Sequence, residues 1–333
     1  MSTRAVVVDG DGVGPEVISA TLTVLEEVDA PLELVRGEMG LECHRRTGEY
    51  LPQETLDLLD EADACLFGAV TSPAEDPHYR SPVLAIRRRM GLFVNLRPVK
   101  RLAPDLGLVD LDLVIFRENT EGMYTGVETY DRDSVILERR VSEPVCRRLV
   151  RFANDLSVGE GRRRLTCVHK ANVMRKSDGL FRKVFYRELE GSPLILDDML
   201  VDATAAALVT NGTELDSLVT LNLYGDILSD EAAALVGGMG FAPSANLGES
   251  FGLFEPVHGS APDIAGQGRA NPVATMLSAA MMLRYLGMTK EGDLVERGVI
   301  ATLNDGVRTA DAGGDHRTDD FAHQVVRRLD RVE

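Results

Sequence analysis

Short apolar runs alternate with amphipathic stretches along the whole chain, and this alternation constrains the fold more than any other feature. The apolar runs predict strands at 5–8, 64–67, 111–116, 165–168, 194–196 and 217–223. The amphipathic stretches predict helices at 15–28, 143–153, 179–190, 202–210, 227–236, 272–286 and 319–329. Strands that alternate with helices indicate an α/β fold with much parallel sheet. No repeat or Gly/Ser-rich linker interrupts the pattern, so we expect any domains to be joined by the sheet or by short crossings.

The composition narrows the range of partners. Apolar residues make up 44% of the chain, which is enough for full cores. No apolar run reaches the roughly 18 residues that a membrane span requires, and residues 1–9 predict a first strand, not a cleaved signal peptide. The formal charge of −17 opposes binding to nucleic acid, which needs a basic surface. We therefore expect neither a membrane nor a nucleic-acid partner.

Charged residues and cysteines indicate the compartment. Lysine is scarce among the 36 basic residues, occurring at Lys100, Lys170, Lys176, Lys183 and Lys290. An excess of carboxylates with little lysine suits a protein that stays soluble at high salt, where repulsion is screened. This pattern predicts a halophilic cytoplasm, with an acidic enzyme from an arginine-biased genome as the alternative. The cysteines form no C-x-x-C pair, which predicts free thiols in a reducing cytosol, at Cys43, Cys65, Cys146 and Cys167.

A glycine-rich segment, residues 10–16, lies between the first predicted strand and the first predicted helix. Its G-x-G-x-G spacing differs from the G-x-G-x-x-G of dinucleotide-binding folds, and Pro15 follows at once. Either a tight strand-to-helix turn or a weak nucleotide-binding signal explains it. In both cases the glycines allow the backbone to approach another group closely.

Three arginines are candidates for binding an anionic substrate. Arg87 lies on a helical pattern, Arg97 lies on an extended stretch, and Arg117 follows a predicted strand. Guanidinium groups capture carboxylates through paired hydrogen bonds. A solvated basic helix face is the simpler interpretation, and it is adopted for Arg88 and Arg89. It is weaker for Arg117, because ligands of open α/β sheets gather at the carboxyl ends of strands.

Asp226 and Asp230 are predicted to share one face of a helix that begins at Asp226. Like charges at this spacing cost about 0.2–0.5 kcal/mol in an isolated helix, and a divalent cation would reverse the sign. Carboxylate oxygens suit magnesium or manganese. The helix dipole would explain Asp226 but not Asp230. Asp202, at the head of another predicted helix, is either a third ligand or a helix cap.

Lys170, Tyr124 and a long loop complete the candidates. Lys170 closes a predicted strand, and a lysine beside a metal ion and arginines would give up its proton easily and act as a base. A surface lysine is the plainer interpretation of this residue alone. Tyr124 is the candidate for a neutral proton donor beside Arg117. The Gly/Pro-rich segment 254–271 leads into a helix, and long ordered loops of this kind are usually functional.

Taken together, these segments resemble the β-decarboxylating dehydrogenases, the family of the 3-isopropylmalate, isocitrate, homoisocitrate and tartrate dehydrogenases. The resemblance runs nearly end to end. Residues 222–230 look like the family's metal-binding signature, and residues 255–271 look like its adenine-nucleotide loop. The resemblance implies two domains around a central mixed, largely parallel sheet, which is not the ordinary dinucleotide-binding fold. It predicts a discontinuous cofactor-binding domain (1–92 and 237–333) and an inserted domain (93–236) that carries the metal ligands and the dimer interface.

The resemblance also implies a role for each candidate. The arginines that hold the substrate carboxylates are Arg87, Arg97 and Arg117. The ligands of Mg²⁺ or Mn²⁺ are Asp202, Asp226 and Asp230. The acid–base residues are Tyr124 and Lys170. The residues that contact NAD are Thr71, Glu255, His258, Gly259, Ser260, Ala261, Asp263 and Asn271. The glycine-rich segment is only a neighbour of the cofactor.

The implied reaction is the metal-assisted oxidation and decarboxylation of a small 2-hydroxy acid. Lys170, directly or through a relay, takes the hydroxyl proton while hydride passes to the nicotinamide. Tyr124, alone or with Lys170, protonates the enol carbon after carbon dioxide has left. In the family, the equivalents of Lys170 and Asp202 reach into the neighbouring subunit's site. The resemblance therefore implies an obligate homodimer with shared sites, and the pairing of dimers into tetramers stays open.

The residue pair Asp263-Ile264 predicts NAD as the cofactor. In NADP-using isocitrate dehydrogenases, a lysine and a tyrosine typically stand at these two places and hold the 2′-phosphate. An aspartate accepts hydrogen bonds from a ribose hydroxyl and repels a phosphate.

The residues before Arg87 are expected to face the group on C3 of the substrate. Ser81 fits isocitrate dehydrogenases, but Val83 replaces their asparagine, and Leu84 stands where homoisocitrate dehydrogenases commonly carry an arginine. Val83 and Leu84 would form an apolar wall, which favours an isopropyl group. We therefore expect 3-isopropylmalate to be converted to 4-methyl-2-oxopentanoate in leucine biosynthesis. Isocitrate or homoisocitrate is the alternative, favoured by Arg80, Ser81 and the segment 117–124.

Two interpretations of another class remain. A non-catalytic regulatory subunit would tend to lose ligand or base residues, and every one of them is present here. A simple NAD-binding module with another reaction would leave the pair Asp226 and Asp230, and the arginines, without an explanation.

Overall fold

A computed structural model of the chain describes residues 3–73, 75–76 and 79–332, and it confirms the predicted α/β fold with a mixed, mostly parallel sheet. The strands are β1 (Thr3–Gly10), β2 (Leu32–Gly37), β3 (Ala64–Ala69), β4 (Val94–Lys100), β5 (Asp112–Glu118), β6 (Glu128–Asp131), β7 (Ser134–Leu137), β8 (Arg164–His169), β9 (Ile195–Leu200), β10 (Ser217–Thr220), β11 (Pro243–Leu247) and β12 (Gly252–Pro256). The helices are α1 (Gly14–Val28), α2 (Leu41–Thr47), α3 (Gln53–Asp60), α4 (Pro82–Arg89), α5 (Glu143–Gly159), α6 (Ser177–Glu188), α7 (Val201–Thr210), α8 (Asn222–Leu235), α9 (Val273–Tyr285), α10 (Thr289–Asn304) and α11 (Thr318–Val332).

The chain divides into two compact units. The first comprises Met1–Gly91, Leu102–Leu106 and Gly237–Glu333. Its strands follow the order β2-β1-β3-β12-β11, and all neighbours are parallel except the antiparallel pair β11 and β12. Helix α9 is apolar on every side and nearly all of its side chains are buried, as expected for a helix in the interior of a unit.

The second unit comprises Leu92–Arg101 and Gly107–Val236, and its strands follow the order β4-β5-β10-β8-β9. β4 is antiparallel to β5, and the remaining neighbours are parallel. The parallel strands therefore end at one edge of this sheet, where ligands of α/β proteins gather. Strands β6 and β7 form a separate hairpin whose residues are all exposed.

The predicted domains, 1–92 with 237–333 and 93–236, stay a prediction. The division by contacts differs from it mainly in assigning Leu102–Leu106 to the first unit. Residues 1–2, 74, 77–78 and 333 of the predicted first domain lie outside the described residues. No helix in the described part of the chain is both long and apolar enough to cross a membrane. The four cysteines are buried, unpaired thiols.

The sequence patterns predicted no element at β2, β6, β7, β11, β12, α2, α3 or α10, and several boundaries were wrong, two of them next to the candidate site. The strand predicted at 217–223 ends at Thr220, and α8 begins at Asn222, one turn before the predicted start at Asp226. Gly225 resembles a helix breaker, but it lies inside α8, because a Cβ there would lie 2.7 Å from Cβ of Arg117. The close approach of α8 to β5 therefore requires a glycine. Asp226 lies beyond the first turn, so the helix dipole does not account for its presence.

The glycine-rich segment packs against the backbone of two other loops. Gly12 has φ +62°, and a Cβ at this position would lie 1.9 Å from the carbonyl oxygen of Ser260. The backbone N–H of Val13 donates to the same carbonyl at 2.9 Å, and the N–H of Asp11 donates to the carbonyl oxygen of Ala69 at 2.7 Å. The segment is therefore a tight turn that holds the loop around Ser260.

We expect Gly12→Ala to destabilise the protein by about 3 kcal/mol or more, because a left-handed backbone and an overlap with a carbonyl act together. Gly48→Ala is the matched control: Gly48 has φ +85° with nothing within 4 Å of an added Cβ. Backbone strain alone should lower its stability by about 1–2 kcal/mol. Urea unfolding of both variants measures the difference, and equal losses would contradict the packing role of Gly12.

Candidate active site

A cluster of opposite charges lies at the carboxyl end of β5 and on α8. Arg117 donates from Nη1 to Oδ1 of Asp226, and Arg97 donates from Nη2 to the same oxygen at 3.3 Å. Arg97 also donates from Nη1 to Oδ1 of Asp230 at 3.0 Å and from Nε to Oδ1 of Asn95 at 2.6 Å. The structure thus brings together two of the three predicted arginines and two of the three predicted metal ligands.

Burial of this cluster is uneven. Arg117 is 2% exposed and Arg97 is 8% exposed, whereas the side chains of Asp226 and Asp230 are 32% and 52% exposed. Burial raises the pKa of Asp230, and the neighbouring Asp226 raises it further, against the lowering effect of Arg97. The two guanidinium groups are therefore buried. The carboxylate oxygens of Asp226 and Asp230, one helical turn apart, are partly exposed and are of the kind that binds hard cations.

Tyr124 completes the cluster. Its hydroxyl donates to Oδ2 of Asp226, and the guanidinium carbon of Arg117 lies 5.0 Å from the centre of its ring. Burial and the hydrogen bond to Asp226 raise the pKa of Tyr124, so its hydroxyl keeps its proton at neutral pH. This is the arrangement required of a neutral proton donor.

Asn222 binds Arg117, and Glu118 lies next to Asn222. Neither residue was predicted from the sequence to belong to the site. Oδ1 of Asn222 accepts from Nε and Nη2 of Arg117 at 3.1 and 2.9 Å. Nδ2 of Asn222 donates to the carbonyl oxygen of Glu121 at 3.0 Å and lies 3.5 Å from Oε2 of Glu118. Glu118 is 1% exposed, and burial raises its pKa. The amide has one orientation that satisfies both neighbours, so it fixes the guanidinium.

Lys170 and Asp202 form a separate pair, in which Nζ of Lys170 donates to Oδ1 of Asp202 and lowers the pKa of that carboxyl. Asp202 follows β9, which is two strands away from β10. At the usual strand spacing this separates the ends of β9 and β10 by about 10 Å. Within the described ranges of a single chain, no group of three or more acid, His or Cys side chains is placed to hold a metal ion.

The predicted substrate residues 81–87 lie on or next to α4 in the first unit. Ser81 caps this helix, accepting from the N–H of Leu84 at 3.4 Å. Val83 is 7% exposed and Leu84 is half-buried, so Leu84 is the more accessible of the two residues predicted to form an apolar wall. Arg87 donates from Nη2 to Oε1 of Glu255 at 3.0 Å, and its buried Nε has no partner among the described residues.

The predicted cofactor residues lie in the first unit. Oγ1 of Thr71 donates to Oγ of Ser260 at 2.7 Å. Asp11, which the sequence analysis missed, is 2% exposed and accepts from the N–H groups of Leu41, Glu42 and Thr71 at 2.8–2.9 Å. One buried carboxylate therefore fixes the loop that carries Thr71.

The loop from Val257 to Pro272 carries most of the remaining candidates. Ala261 has φ 37°, Gly259 and Asp263 are exposed, and Asn271 donates from Nδ2 to Oδ2 of Asp311 at 3.1 Å. His258 places Nδ1 2.9 Å from the carbonyl oxygen of Gly259. Burial lowers the pKa of His258, so its ring is neutral.

Only a protonated Nδ1 can donate to a carbonyl, and a neutral ring carries a single proton. Nε2 of His258 therefore has no proton and can only accept a hydrogen bond. This atom is buried and has no partner within the described part of the chain. An unpaired buried acceptor fits the amino group of an adenine.

Comparisons with known proteins show which proteins the chain resembles. A family model described as isocitrate/isopropylmalate dehydrogenase matches residues 4–325. The chain is 45% identical to 3-isopropylmalate dehydrogenase of Methanothermobacter thermautotrophicus, with 99% of each chain covered. It is 42% identical to homoisocitrate dehydrogenase of Methanocaldococcus jannaschii, with 97% of this chain and 96% of that one covered. Isocitrate dehydrogenase from Methylococcus capsulatus superposes with a TM-score of 0.93 at 36% identity, covering 98% of this chain and 99% of that one.

We expect Asn222→Ala to lower kcat/KM for the best 2-hydroxy acid substrate about 10- to 100-fold, because Arg117 loses the amide that fixes its fork. Steady-state kinetics with a series of substrate concentrations measures the effect. Asn154→Ala is the matched control, because Asn154 accepts from Ser192 on another face of the same unit. Wild-type kinetics for Asn222→Ala, or an equal loss in the control, would contradict the role of Asn222.

Proposed function

The chain belongs to the isocitrate/isopropylmalate dehydrogenase family of decarboxylating oxidoreductases, and from this premise we propose that it converts 3-isopropylmalate to 4-methyl-2-oxopentanoate with NAD. The observation that carries the proposal is the charge cluster of Arg97, Arg117, Asp226 and Asp230, with Tyr124 beside it. Buried guanidinium groups are suited to binding a dicarboxylate.

The charges of the cluster are balanced, which favours the joint binding of two ligands of opposite charge. Two guanidinium groups balance the carboxylates of Asp226 and Asp230. A divalent cation and a dicarboxylate that bind together preserve this balance, whereas either one alone disturbs it. The half-exposed oxygens of the two aspartates fit Mg²⁺ or Mn²⁺, and we propose Asp202 as the third ligand.

The proposed chemistry divides between groups that bind and groups of this chain that move protons. The loop around His258 would hold NAD, which would supply the hydride acceptor for C2, and Asp226 and Asp230 would hold a divalent cation, which would supply positive charge beside the C2 oxygen. Arg87, Arg97 and Arg117 hold the carboxylates of the substrate. Nζ of Lys170 takes the proton of the C2 hydroxyl. After the C3 carboxylate has left as carbon dioxide, its bonding electrons stay with the substrate, and the hydroxyl of Tyr124 donates a proton to C3.

The position of Lys170 and Asp202 supports the proposal of a homodimer with shared sites. They lie apart from Asp226 within one chain, so we propose that they serve the site of a second copy. Exposed apolar side chains on the hairpin and on α7, β9 and α8 support an interface in this unit: Val127, Tyr130, Val135, Ile136, Ile195, Val209 and Ile227. Exposed apolar side chains that cluster on a surface are typical of protein contacts. The family resemblance leaves open whether such dimers pair further.

The preference for NAD rests on Asp263, which is exposed on the loop that carries His258. A carboxylate there accepts a hydrogen bond from a ribose hydroxyl and repels a 2′-phosphate. Buried, unpaired cysteines support a cytoplasmic location, and the charge of −17 with few lysines supports a salt-rich one.

The preference for an isopropyl group rests on Leu84. Leu84 and Arg87 lie three residues apart on α4, and therefore on one face of that helix. A substrate carboxylate held by Arg87 would bring the neighbouring C3 group to Leu84. Homoisocitrate or isocitrate is the second candidate, because a relative of nearly equal identity is named homoisocitrate dehydrogenase and Ser81 offers a hydroxyl.

We expect kcat/KM for 3-isopropylmalate with NAD to exceed that for isocitrate and homoisocitrate by at least about tenfold, because a third carboxylate would lie unpaired against Leu84. NADP should be the poorer cofactor with each acid. Initial rates for the three acids with both cofactors, in the presence of Mg²⁺ or Mn²⁺, measure these preferences. Faster turnover of homoisocitrate or isocitrate would replace the proposed substrate and leave the reaction class intact.

Leu84→Ala is the matched variant for the substrate. It should lower kcat/KM for 3-isopropylmalate about 10-fold, since apolar contact worth 1–3 kcal/mol is lost. Turnover of malate, whose C3 carries the carboxylate but no alkyl group, should stay unchanged. An equal loss with both acids would show that Leu84 does not face the C3 group.

Shared sites predict complementation between inactive variants. Asp226→Asn and Lys170→Met should each abolish turnover. A mixed dimer would contain one intact site, so random reassembly of equal amounts should restore about one quarter of wild-type activity. Rates are measured after the two variants are unfolded and refolded together. Each variant refolded alone is the control, and no recovery in the mixture would place the complete site in one chain.

A further inference from the structure

Asp178, on the first turn of α6, is an aspartate with 0% exposure that the proposed reaction leaves unused. Its Oδ2 accepts from the backbone N–H of Lys170 at 2.7 Å and from the hydroxyl of Tyr224 at 3.0 Å. Its Oδ1 accepts from Arg139 and, at 3.3 Å, from the hydroxyl of Ser177. One buried carboxylate therefore connects the end of β8, the start of α6, helix α8 and the segment that follows the hairpin.

Both polar groups of the Lys170 backbone are hydrogen-bonded. Its N–H is bound by Asp178, and its carbonyl oxygen accepts from the N–H groups of Val173 and Met174 at 3.0 and 2.9 Å. His169 adds a further tie, because its Nδ1 accepts from the N–H of Ala171 at 3.0 Å. The Cα of Lys170 is thus held in place, and the side chain alone is free to reach out to Asp202.

Tyr224 connects the same carboxylate to α8. It lies two residues before Asp226, which is about 200° around a helix of 3.6 residues per turn. Asp178 therefore holds α8 on the side opposite to the face that presents Asp226 and Asp230. The guanidinium carbon of Arg139 lies 5.3 Å from the centre of the Tyr224 ring and closes the cluster.

The chemistry of the cluster requires a carboxylate. Lys170, Tyr224 and Arg139 all present donors, and an ionised aspartate has only acceptors. An asparagine of the same shape would turn its NH₂ group toward a donor. It would also leave the guanidinium of Arg139, which is 13% exposed, without its counter-charge.

We propose that Asp178 is a positioning residue that holds the Lys170 backbone and helix α8 in a fixed relation. The proposal rests on the proposed function, because it takes Lys170 to be the acid–base residue. Asp178 itself touches no substrate. Its loss acts on the chemical step through Lys170 and leaves the arginines that bind the carboxylates in place.

The test compares Asp178→Asn with wild type in steady-state kinetics with the preferred acid, NAD and a divalent cation. We expect kcat to fall about 10- to 100-fold, because a displacement of about 1 Å in a reacting group has an effect of this size. KM should change by less than about threefold, since substrate binding is untouched. A kcat within twofold of wild type, or a rise in KM in place of the fall in kcat, overturns the proposal.

Glu188→Gln is the matched control for a loss of stability alone. Glu188 lies on the same helix, its side chain is 8% exposed, and it binds Arg147 and Arg151 at 3.2 and 2.7 Å, away from Lys170. We expect this variant to lose thermal stability and to keep wild-type kcat. An equal fall of kcat in both variants, at equal loss of Tm, overturns the proposal.

A further variant keeps the test decisive if Asp178→Asn is unstable. If Asp178→Asn does not fold, Tyr224→Phe removes one donor from the carboxylate and leaves the Lys170 bond, and its kcat should fall by a factor of about 2–5 at unchanged KM. Wild-type kcat for Tyr224→Phe in that case overturns the proposal.

Lys170→Met separates this inference from the proposed function. Wild-type kcat in Lys170→Met refutes the role of Lys170 and this inference with it. A large loss in Lys170→Met beside wild-type kcat in Asp178→Asn refutes the inference alone.

Discussion

The carboxylate of Asp226 is the group on which the polar interior of the second unit depends. Arg97, Arg117 and Tyr124 all donate to it, and the two guanidinium groups are almost completely buried. Burying a guanidinium without a counter-charge costs roughly several kcal/mol, and Asp226 is the counter-charge that both arginines share. The positive charges are therefore oriented before any ligand arrives, which is the condition for effective electrostatic stabilisation.

Sheet topology explains which candidates meet and which do not. Arg117 on β5 is in register with Thr220 on the neighbouring β10, so Asn222, two residues later, reaches it directly. β4 is antiparallel to β5 and places Asn95 opposite Arg117, with Arg97 two residues along on the same face. β9 lies beyond β8, so Asp202 falls at the same edge of the sheet without joining the cluster. The separation of Lys170 and Asp202 from Asp226 is thus a property of strand order.

The sequence was most informative about features that depend on local patterns alone. The strand at 5–8, the helix at 15–28 and the spacing of Asp226 and Asp230 follow from periodicity and are confirmed by the fold. The start of α8 was missed because Gly225 signals a helix end, and only the neighbouring Arg117 explains its presence within the helix. Asp11, Glu118, Asn222 and Asp178 were missed as site residues for a related reason: their partners are distant in sequence, and a polar residue after a strand or at a helix start has many local explanations.

The supporting residues share one physical feature that sequence patterns do not contain. Asp11 and Asp178 are buried carboxylates surrounded by donors, and Asn222 is a buried amide between a guanidinium and a carboxylate. In a medium of low dielectric constant each of these bonds is strong when it is made and costly when it is left unmade. Such groups permit a single arrangement of their neighbours. The precision of the candidate site therefore depends less on the residues that would touch a ligand than on the buried acceptors that leave those residues no alternative position.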